Sequence, residues 1–114
     1  MSKIGDNISR GDLYWVNLDP TVGSESQKTR PAVVISNNIQ NKASSRVVVI
    51  PITSNSEKIY PFESEIVVKD KKSKAMADQI RTIDKMRLSA YIGQCTKKEM
   101  NQLERAIKLV IALS

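Results

Sequence analysis

The 114-residue chain has the length of one domain, and its 40% hydrophobic content is that of a protein with an ordinary core. Its 18 lysines and arginines against 12 aspartates and glutamates give a formal net charge of +6, which favours polyanionic partners, RNA or DNA first. One cysteine and no histidine exclude an internal disulfide and a zinc site, and they remove the commonest general base. The polar N-terminus has no apolar leader and no stretch is long enough to span a membrane, so we expect a cytoplasmic protein.

Short apolar stretches rich in β-branched residues predict a series of strands. They follow a polar segment, residues 1–9, that we expect to form a loose N-terminal arm. The polar residues 37–45 are expected to form a loop with at most one helical turn, and Pro51 is expected to disrupt the ladder of its strand because it has no N–H. The predicted strands cover residues 13–18, 32–36, 46–50, 65–68, 75–83 and 88–93.

The C-terminal segment has the signals of an amphipathic helix. Thr96 and Glu99 match a capping box, in which each side chain satisfies a backbone N–H of the first turn. Apolar residues then recur at positions 100, 103, 107 and 110, which form one stripe on a helix. We therefore predict a mainly β (α+β) fold over a single domain, residues 1–114. It is a small, strongly bent sheet or barrel with a C-terminal α-helix packed on it.

Two strands bring a charged and a hydroxyl side chain to one end of the predicted sheet. If residues 32–36 and 46–50 pair antiparallel with Ser36 opposite Arg46, then Arg30 lies opposite Ile52, one residue from Thr53. A guanidinium beside a hydroxyl, between the polar segments 23–29 and 54–63, is typical of a phosphate site. On this pattern alone, the alternative that both are ordinary surface residues stays open.

Six blocks of the sequence carry a family resemblance: GDLYWVNLDP (11–20), GSE (23–25), RPAVVIS (30–36), PITS (51–54), YPFE (60–63) and ADQIRTID (77–84). In order and spacing they resemble MazF/PemK-type toxins, and together they span nearly the whole chain. This family implies an SH3-like barrel of the MazF/PemK/CcdB kind, with added helices. The resemblance also puts the family's catalytic arginine on Arg30 and its threonine on Thr53.

The resemblance implies a sequence-specific endoribonuclease, an mRNA interferase that acts as a homodimer in a type II toxin–antitoxin system. Its partners would be single-stranded RNA and a MazE-type antitoxin whose acidic tail competes for the basic groove. DNA would be bound only indirectly, through the antitoxin complex. No metal and no cofactor are expected.

The chemistry expected at the site is cleavage of RNA by its own 2′-OH, which needs positioning and charge stabilisation more than it needs a metal. Arg30 would stabilise charge on the phosphoryl oxygens and Thr53 would hold one of them. The products would be 2′,3′-cyclic phosphate and 5′-OH ends. Glu25 is the candidate base, because a guanidinium stays protonated. The candidate RNA-binding residues are Ser24, Lys28, Asn37, Lys58, Tyr60, Gln79 and Arg81.

Two other functions stay open from the sequence. One is a non-catalytic toxin of the same fold that poisons gyrase, and the other is a plain RNA-binding module without turnover. Discrete fragments from a long single-stranded RNA in EDTA would distinguish an enzyme from both.

Overall fold

A computed structural model describes residues 7–18 and 29–113 of the chain. Two helices, α1 (Asn38–Ala43) and α2 (Lys97–Val110), and two short 3-10 turns (Ala77–Gln79 and Lys85–Arg87) accompany the strands. None of the helices in these two ranges is long and apolar enough to cross a membrane. The strands are β1 (Asp12–Asn17), β2 (Thr29–Val34), β3 (Arg46–Thr53), β4 (Glu63–Val68), β5 (Lys71–Met76), β6 (Arg81–Asp84) and β7 (Leu88–Gln94).

The strands form one antiparallel sheet in the order β4-β5-β3-β2-β1-β7. The long strand β3 organises it, because it pairs with β6 over its first four residues and with β5 at Ile52 and Thr53. The prediction of a mainly β sheet with a C-terminal helix is confirmed.

Two apolar clusters lie on opposite faces of the sheet. Residues that face each other across strands belong to the same cluster: Leu13, Val33 and Ile50 to the first, Ala32 and Val34 to the second. Helix α2 covers the first cluster with Leu103 and Ala106, which are both buried. Leu88 of β7 and Ile83 of β6 close round the second cluster. This alternation is what period-two side-chain packing on a pleated sheet requires.

The predicted capping box at the start of α2 is present. The Glu99 N–H donates to Thr96 Oγ1 at 3.1 Å, and the Thr96 N–H donates to Glu99 Oε1 at 2.9 Å. The other oxygen, Oε2, accepts the N–H of Val67 at 2.8 Å, which ties the edge strand β4 to the helix.

Three expectations need correction. The predicted strand over residues 75–83 is broken by the 3-10 turn Ala77–Gln79, where the chain leaves β5 and crosses to β6 on the same edge of β3. Pro51 does not end its strand: it lies in β3 between the residues that pair with β6 and those that pair with β5, where a missing N–H costs no ladder bond on that edge. The predicted arm, residues 1–9, is wrong at its end, because Ile8 is buried in the second cluster and the Ser9 N–H donates to Asp12 Oδ2; residues 1–6 lie outside the described residues.

Candidate active site

The register between β2 and β3 brings Arg30 and Thr53 together. Ala32 lies opposite Pro51 and Val34 opposite Val49, and two more residues in the same register put Arg30 opposite Thr53. The predicted register, with Arg30 opposite Ile52, was therefore wrong by one residue. Continued beyond the Ala32–Pro51 pair, this register places Arg30 and Thr53 across from each other at the end of the two strands.

The one-residue error has its cause at the other end of the two strands. Ser36 does not pair with Arg46, because its buried hydroxyl accepts the N–H of Val48 at 3.1 Å and hydrogen-bonds the side chain of Asn41 in α1. The Ile35 N–H donates to the Val48 carbonyl at 2.9 Å. The contact of Ser36 with the short helix α1 therefore sets the register between β2 and β3.

A proline in β2 explains why the ladder ends at the candidate site. Because the Ile35 N–H bonds Val48 O, alternation along the antiparallel pair makes Pro31 and Ile52 a hydrogen-bonding position. Pro31 has no N–H to give there, and the ladder stops at Ala32. The next pair, Arg30 and Thr53, falls at a non-hydrogen-bonded position, where opposite side chains come closest. The two side chains therefore stand at the open end of two rigid strands.

The first of two clefts at this end lies on the side of the second apolar cluster. The row of side chains Val34/Val49 and Ala32/Pro51 continues into Arg30/Thr53, so an apolar row becomes polar at its end. The cleft has a volume of about 450 Å³. It is lined by Leu18, Arg30, Pro51, Thr53, Met76, Gln79 and Arg81.

Four of the predicted site residues therefore line one cleft: Arg30, Thr53, Gln79 and Arg81. The predicted strand over residues 75–83 would have placed Gln79 and Arg81 on one strand, but Gln79 ends the 3-10 turn and Arg81 begins β6. The turn instead brings both to the cleft. The Thr53 hydroxyl accepts the N–H of Asn55 at 3.3 Å, which leaves its proton for an acceptor in the cleft.

Two arginines fasten the end of β1 beside this cleft. Arg81 Nη1 donates to the carbonyl of Leu18 at 3.1 Å, and Arg87 Nη1 donates to that of Asn17 at 3.3 Å. Arg81 therefore uses one N–H of its guanidinium to hold the Leu18 carbonyl, and its other N–H groups can donate to a ligand. Arg87 is not among the predicted site residues, because an arginine in a short polar turn carries no distinguishing sequence pattern.

A second cleft, of about 280 Å³, opens on the other side of the same two residues. Because Arg30 and Thr53 line both clefts, they form a ridge between them, which we call the Arg30–Thr53 ridge. Trp15, an aromatic residue beside this ridge, is not among the predicted site residues. The second cleft is lined by Trp15, Arg30, Pro31, Ile52, Thr53, Ser54, Val68, Lys71 and Ser73.

The segment after β3 carries Lys58 and Tyr60. The Tyr60 ring stacks on that of Phe62, with centroids 5.3 Å apart and planes 5° from parallel, and Lys58 Nζ is 4.8 Å from the Tyr60 centroid. Burial by itself would raise the pKa of the Glu63 carboxyl. Hydrogen bonds from the Tyr60 N–H and from Lys74, with the charge of Lys74, hold that pKa below its ordinary value.

The remaining predicted residues lie elsewhere. Asn37 lines neither cleft: it is the N-cap of α1, with its Oδ1 accepting the N–H of Gln40 at 2.8 Å, beyond the far end of β2 from Arg30. Its RNA contact stays a prediction, and the cap of α1 is the role that the structure shows. Ser24, Glu25 and Lys28 fall outside the described residues. Within residues 7–18 and 29–113, no three histidine, cysteine, aspartate or glutamate side chains are grouped to hold a metal ion.

Comparison with known proteins finds relatives over most of the chain. The model of the PemK-like, MazF-like toxins of type II toxin–antitoxin systems matches residues 9–111. The chain is 40% identical to endoribonuclease MazF9 of Mycobacterium tuberculosis, over 93% of this chain and 98% of the relative. It is 37% identical to endoribonuclease EndoA of Bacillus subtilis, over 93% and 96%. A mycobacterial endoribonuclease solved with its cognate antitoxin superposes with a TM-score of 0.79 at 25% identity, covering 94% of this chain and 97% of that one.

Proposed function

The chain belongs to the family of PemK-like, MazF-like toxins of type II toxin–antitoxin systems, and we propose that it cuts single-stranded RNA at the Arg30–Thr53 ridge without a metal ion. It is an endoribonuclease by its likeness to MazF9 and EndoA over most of its length. The observation that carries the proposal is the position of Arg30 and Thr53 across adjacent strands, both lining the same two clefts.

In the proposed reaction the 2′-oxygen of one nucleotide attacks the adjacent phosphorus. The new P–O2′ bond forms as the P–O5′ bond breaks, which leaves a 2′,3′-cyclic phosphate on one fragment. The departing 5′-oxygen takes up a proton and becomes the 5′-OH end of the other. The 2′-OH loses its proton to a base, for which Glu25 is the candidate; it lies outside the described residues.

The described residues supply positioning and charge in this scheme. The Arg30 guanidinium offers several N–H donors to the phosphoryl oxygens, on which negative charge grows as the reaction proceeds. The Thr53 hydroxyl accepts a hydrogen bond from the Asn55 N–H and donates one to one of these oxygens. Both groups stand on strands and not on long loops, so they are aimed before the RNA arrives.

The partner of such a toxin is an antitoxin, and one relative was solved with its own. We propose a MazE-type antitoxin whose acidic tail competes with RNA for the first cleft, where Arg30 and Arg81 both present N–H donors. A homodimer and a cytoplasmic location are part of the same proposal.

The decisive experiment is an RNA cleavage assay in EDTA. Wild-type protein should give discrete fragments with cyclic phosphate and 5′-OH ends. Arg30→Ala should lower the rate by at least about 10²–10³-fold, as the loss of one aimed donor does elsewhere, while much of the RNA affinity remains. Arg105→Ala, which removes an exposed arginine on α2, is the matched control and should cut normally.

Each alternative has its own outcome in the same assay. An RNA that shifts in a gel but stays whole would indicate a binding module. Inhibited gyrase with intact RNA would indicate a gyrase poison. Full cleavage by Arg30→Ala would remove the ridge from the mechanism.

A further inference from the structure

Lys74 differs from the lysine beside it on β5. The side chain of Lys72 is 68% exposed, and its ion pair with Glu65 is long, at 3.8 Å. The side chain of Lys74 is only 12% exposed, and its Nζ lies 2.9 Å from Glu63 Oε1, whose side chain is 7% exposed. A lysine this well covered is uncommon unless its charge is paired. An exposed lysine such as Lys72 needs no special role, but the burial of Lys74 against Glu63 requires an explanation.

This ion pair fastens the segment between β3 and β4 at two backbone groups. Lys74 Nζ donates to the carbonyl of Lys58 at 2.8 Å as well as to Glu63. Glu63 Oε1 also accepts the N–H of Tyr60 at 3.0 Å. One ammonium and one carboxylate oxygen thus fix the backbone on both sides of residue 59.

The fastened segment lies next to the Arg30–Thr53 ridge, because Lys74 is the residue opposite Thr53 in the pairing of β3 with β5. It presents the stacked pair of Tyr60 and Phe62, with Tyr60 41% exposed and Lys58 Nζ close to its ring. Proteins that bind single-stranded nucleic acids stack bases on exposed aromatic rings and attract phosphates with nearby cations. We call Lys58, Tyr60 and Phe62 the stacking platform.

We propose that the Lys74–Glu63 pair is a positioning device that holds the stacking platform ready for one nucleobase of the RNA substrate. This inference rests on the proposed function and names a base subsite of the same active site. If the segment is already ordered, RNA binding does not incur the entropic cost of ordering it. Breaking the pair should therefore weaken the contact with one base and leave the chemistry at Arg30 and Thr53 intact.

The test uses an RNA oligonucleotide that contains one mapped cut site, and a series of the same oligonucleotide with one base removed at each position in turn. For the wild type, removal of the base at the platform should lower kcat/KM by about tenfold or more, mainly through KM. Lys74→Met should lower kcat/KM on the intact oligonucleotide by a similar factor. On the oligonucleotide that lacks that base, it should cut within about threefold of the wild type.

Two further variants keep the result interpretable. Lys72→Met removes the same charge from an exposed position of the same strand and should behave as wild type on every oligonucleotide. Glu63→Gln keeps an acceptor for the Tyr60 N–H but removes the charge that pairs with Lys74, and it should repeat the Lys74→Met pattern more weakly. It replaces Lys74→Met if that variant shows no cooperative thermal unfolding.

The inference would be overturned if Lys74→Met and Glu63→Gln lose the same factor on the intact oligonucleotide and on all base-deleted ones, since that pattern marks a general structural effect. It would also be overturned if no single base matters more to the wild type than to Tyr60→Ala. Failure of the wild type to cut any RNA would overturn the proposed function, and the inference with it.

Discussion

Arg30 has little conformational freedom for a residue that must direct a charge. It precedes Pro31, which keeps its backbone extended, and it pairs with Val16 of β1 on one side while Thr53 stands opposite on the other. Arginine also stays protonated in proteins, so the charge offered to a phosphate does not depend on a neighbour. The chain has thus placed a fixed charge on a fixed piece of backbone.

Cys95 shows the opposite case, a reactive group made inert. It is 9% exposed in the first apolar cluster, just before α2. Burial, with Glu99 and Asp12 nearby, raises the pKa of its thiol from 9.0 to about 12. Because only the thiolate reacts, a disulfide reagent at pH 8 should modify the folded protein at least about a hundredfold more slowly than the protein in urea. Equal rates in the two states would show that Cys95 is accessible.

Helix α2 depends on one side chain that serves two elements. Glu99 closes the capping box of α2 and also accepts the N–H of Val67 on the edge strand β4. Glu99→Ala should lower the free energy of unfolding by about 2 kcal/mol, since it removes a cap and a charge-assisted hydrogen bond together. Urea denaturation measures this, with Gln102→Ala on an exposed position of α2 as the control. A loss below about 0.5 kcal/mol would mean that water replaces both bonds.

The elements that the sequence predicts well are those whose signals are local. The box of Thr96 and Glu99 and the apolar stripe behind it are complete within one segment, and α2 begins where they indicate. The β-branched residues of β3 likewise predict a buried strand. The break at Ala77–Gln79 was missed because the alternating residues before and after it suit a continuous strand, while its cause is the switch of β3 from one partner to another.

The candidate site was predicted only in part for a similar reason. Arg30 and Thr53 were placed near each other because strand order alone brings their ends together. Their direct opposition depends on how Ser36 anchors α1, a contact that no strand pattern contains. The role of Lys74 was hidden because a lysine in a Lys-Lys-Ser-Lys turn has the pattern of a solvated tip, and only the fold places Glu63 and the Lys58 carbonyl around it.

The apolar clusters that stabilise the fold and the clefts of the candidate active site lie in different parts of the sheet. Helix α2 covers one face, and β6 and β7 close round the other, so both clusters are protected where β1, β2 and β3 pair. The two clefts that share the Arg30–Thr53 ridge open where the β2–β3 ladder stops. Substitutions at the ridge should therefore change activity far more than they change folding.

The net charge of +6 makes a prediction about the molecule as a whole. Bound single-stranded RNA releases about 0.7 counterions for each phosphate that the protein neutralises. If about four phosphates are neutralised, affinity should fall by roughly 50-fold between 50 and 200 mM salt. The cleavage rate at saturating RNA should change by less than about twofold, because the contacts of Arg30 and Thr53 with the scissile phosphate are short and weakly screened. Fluorescence anisotropy and single-turnover cleavage measure the two quantities.

Lys58→Ala should reduce the slope of log affinity against log salt by about 0.7, whereas Arg105→Ala should leave it unchanged. An affinity that does not respond to salt would mean that bases and not phosphates dominate binding.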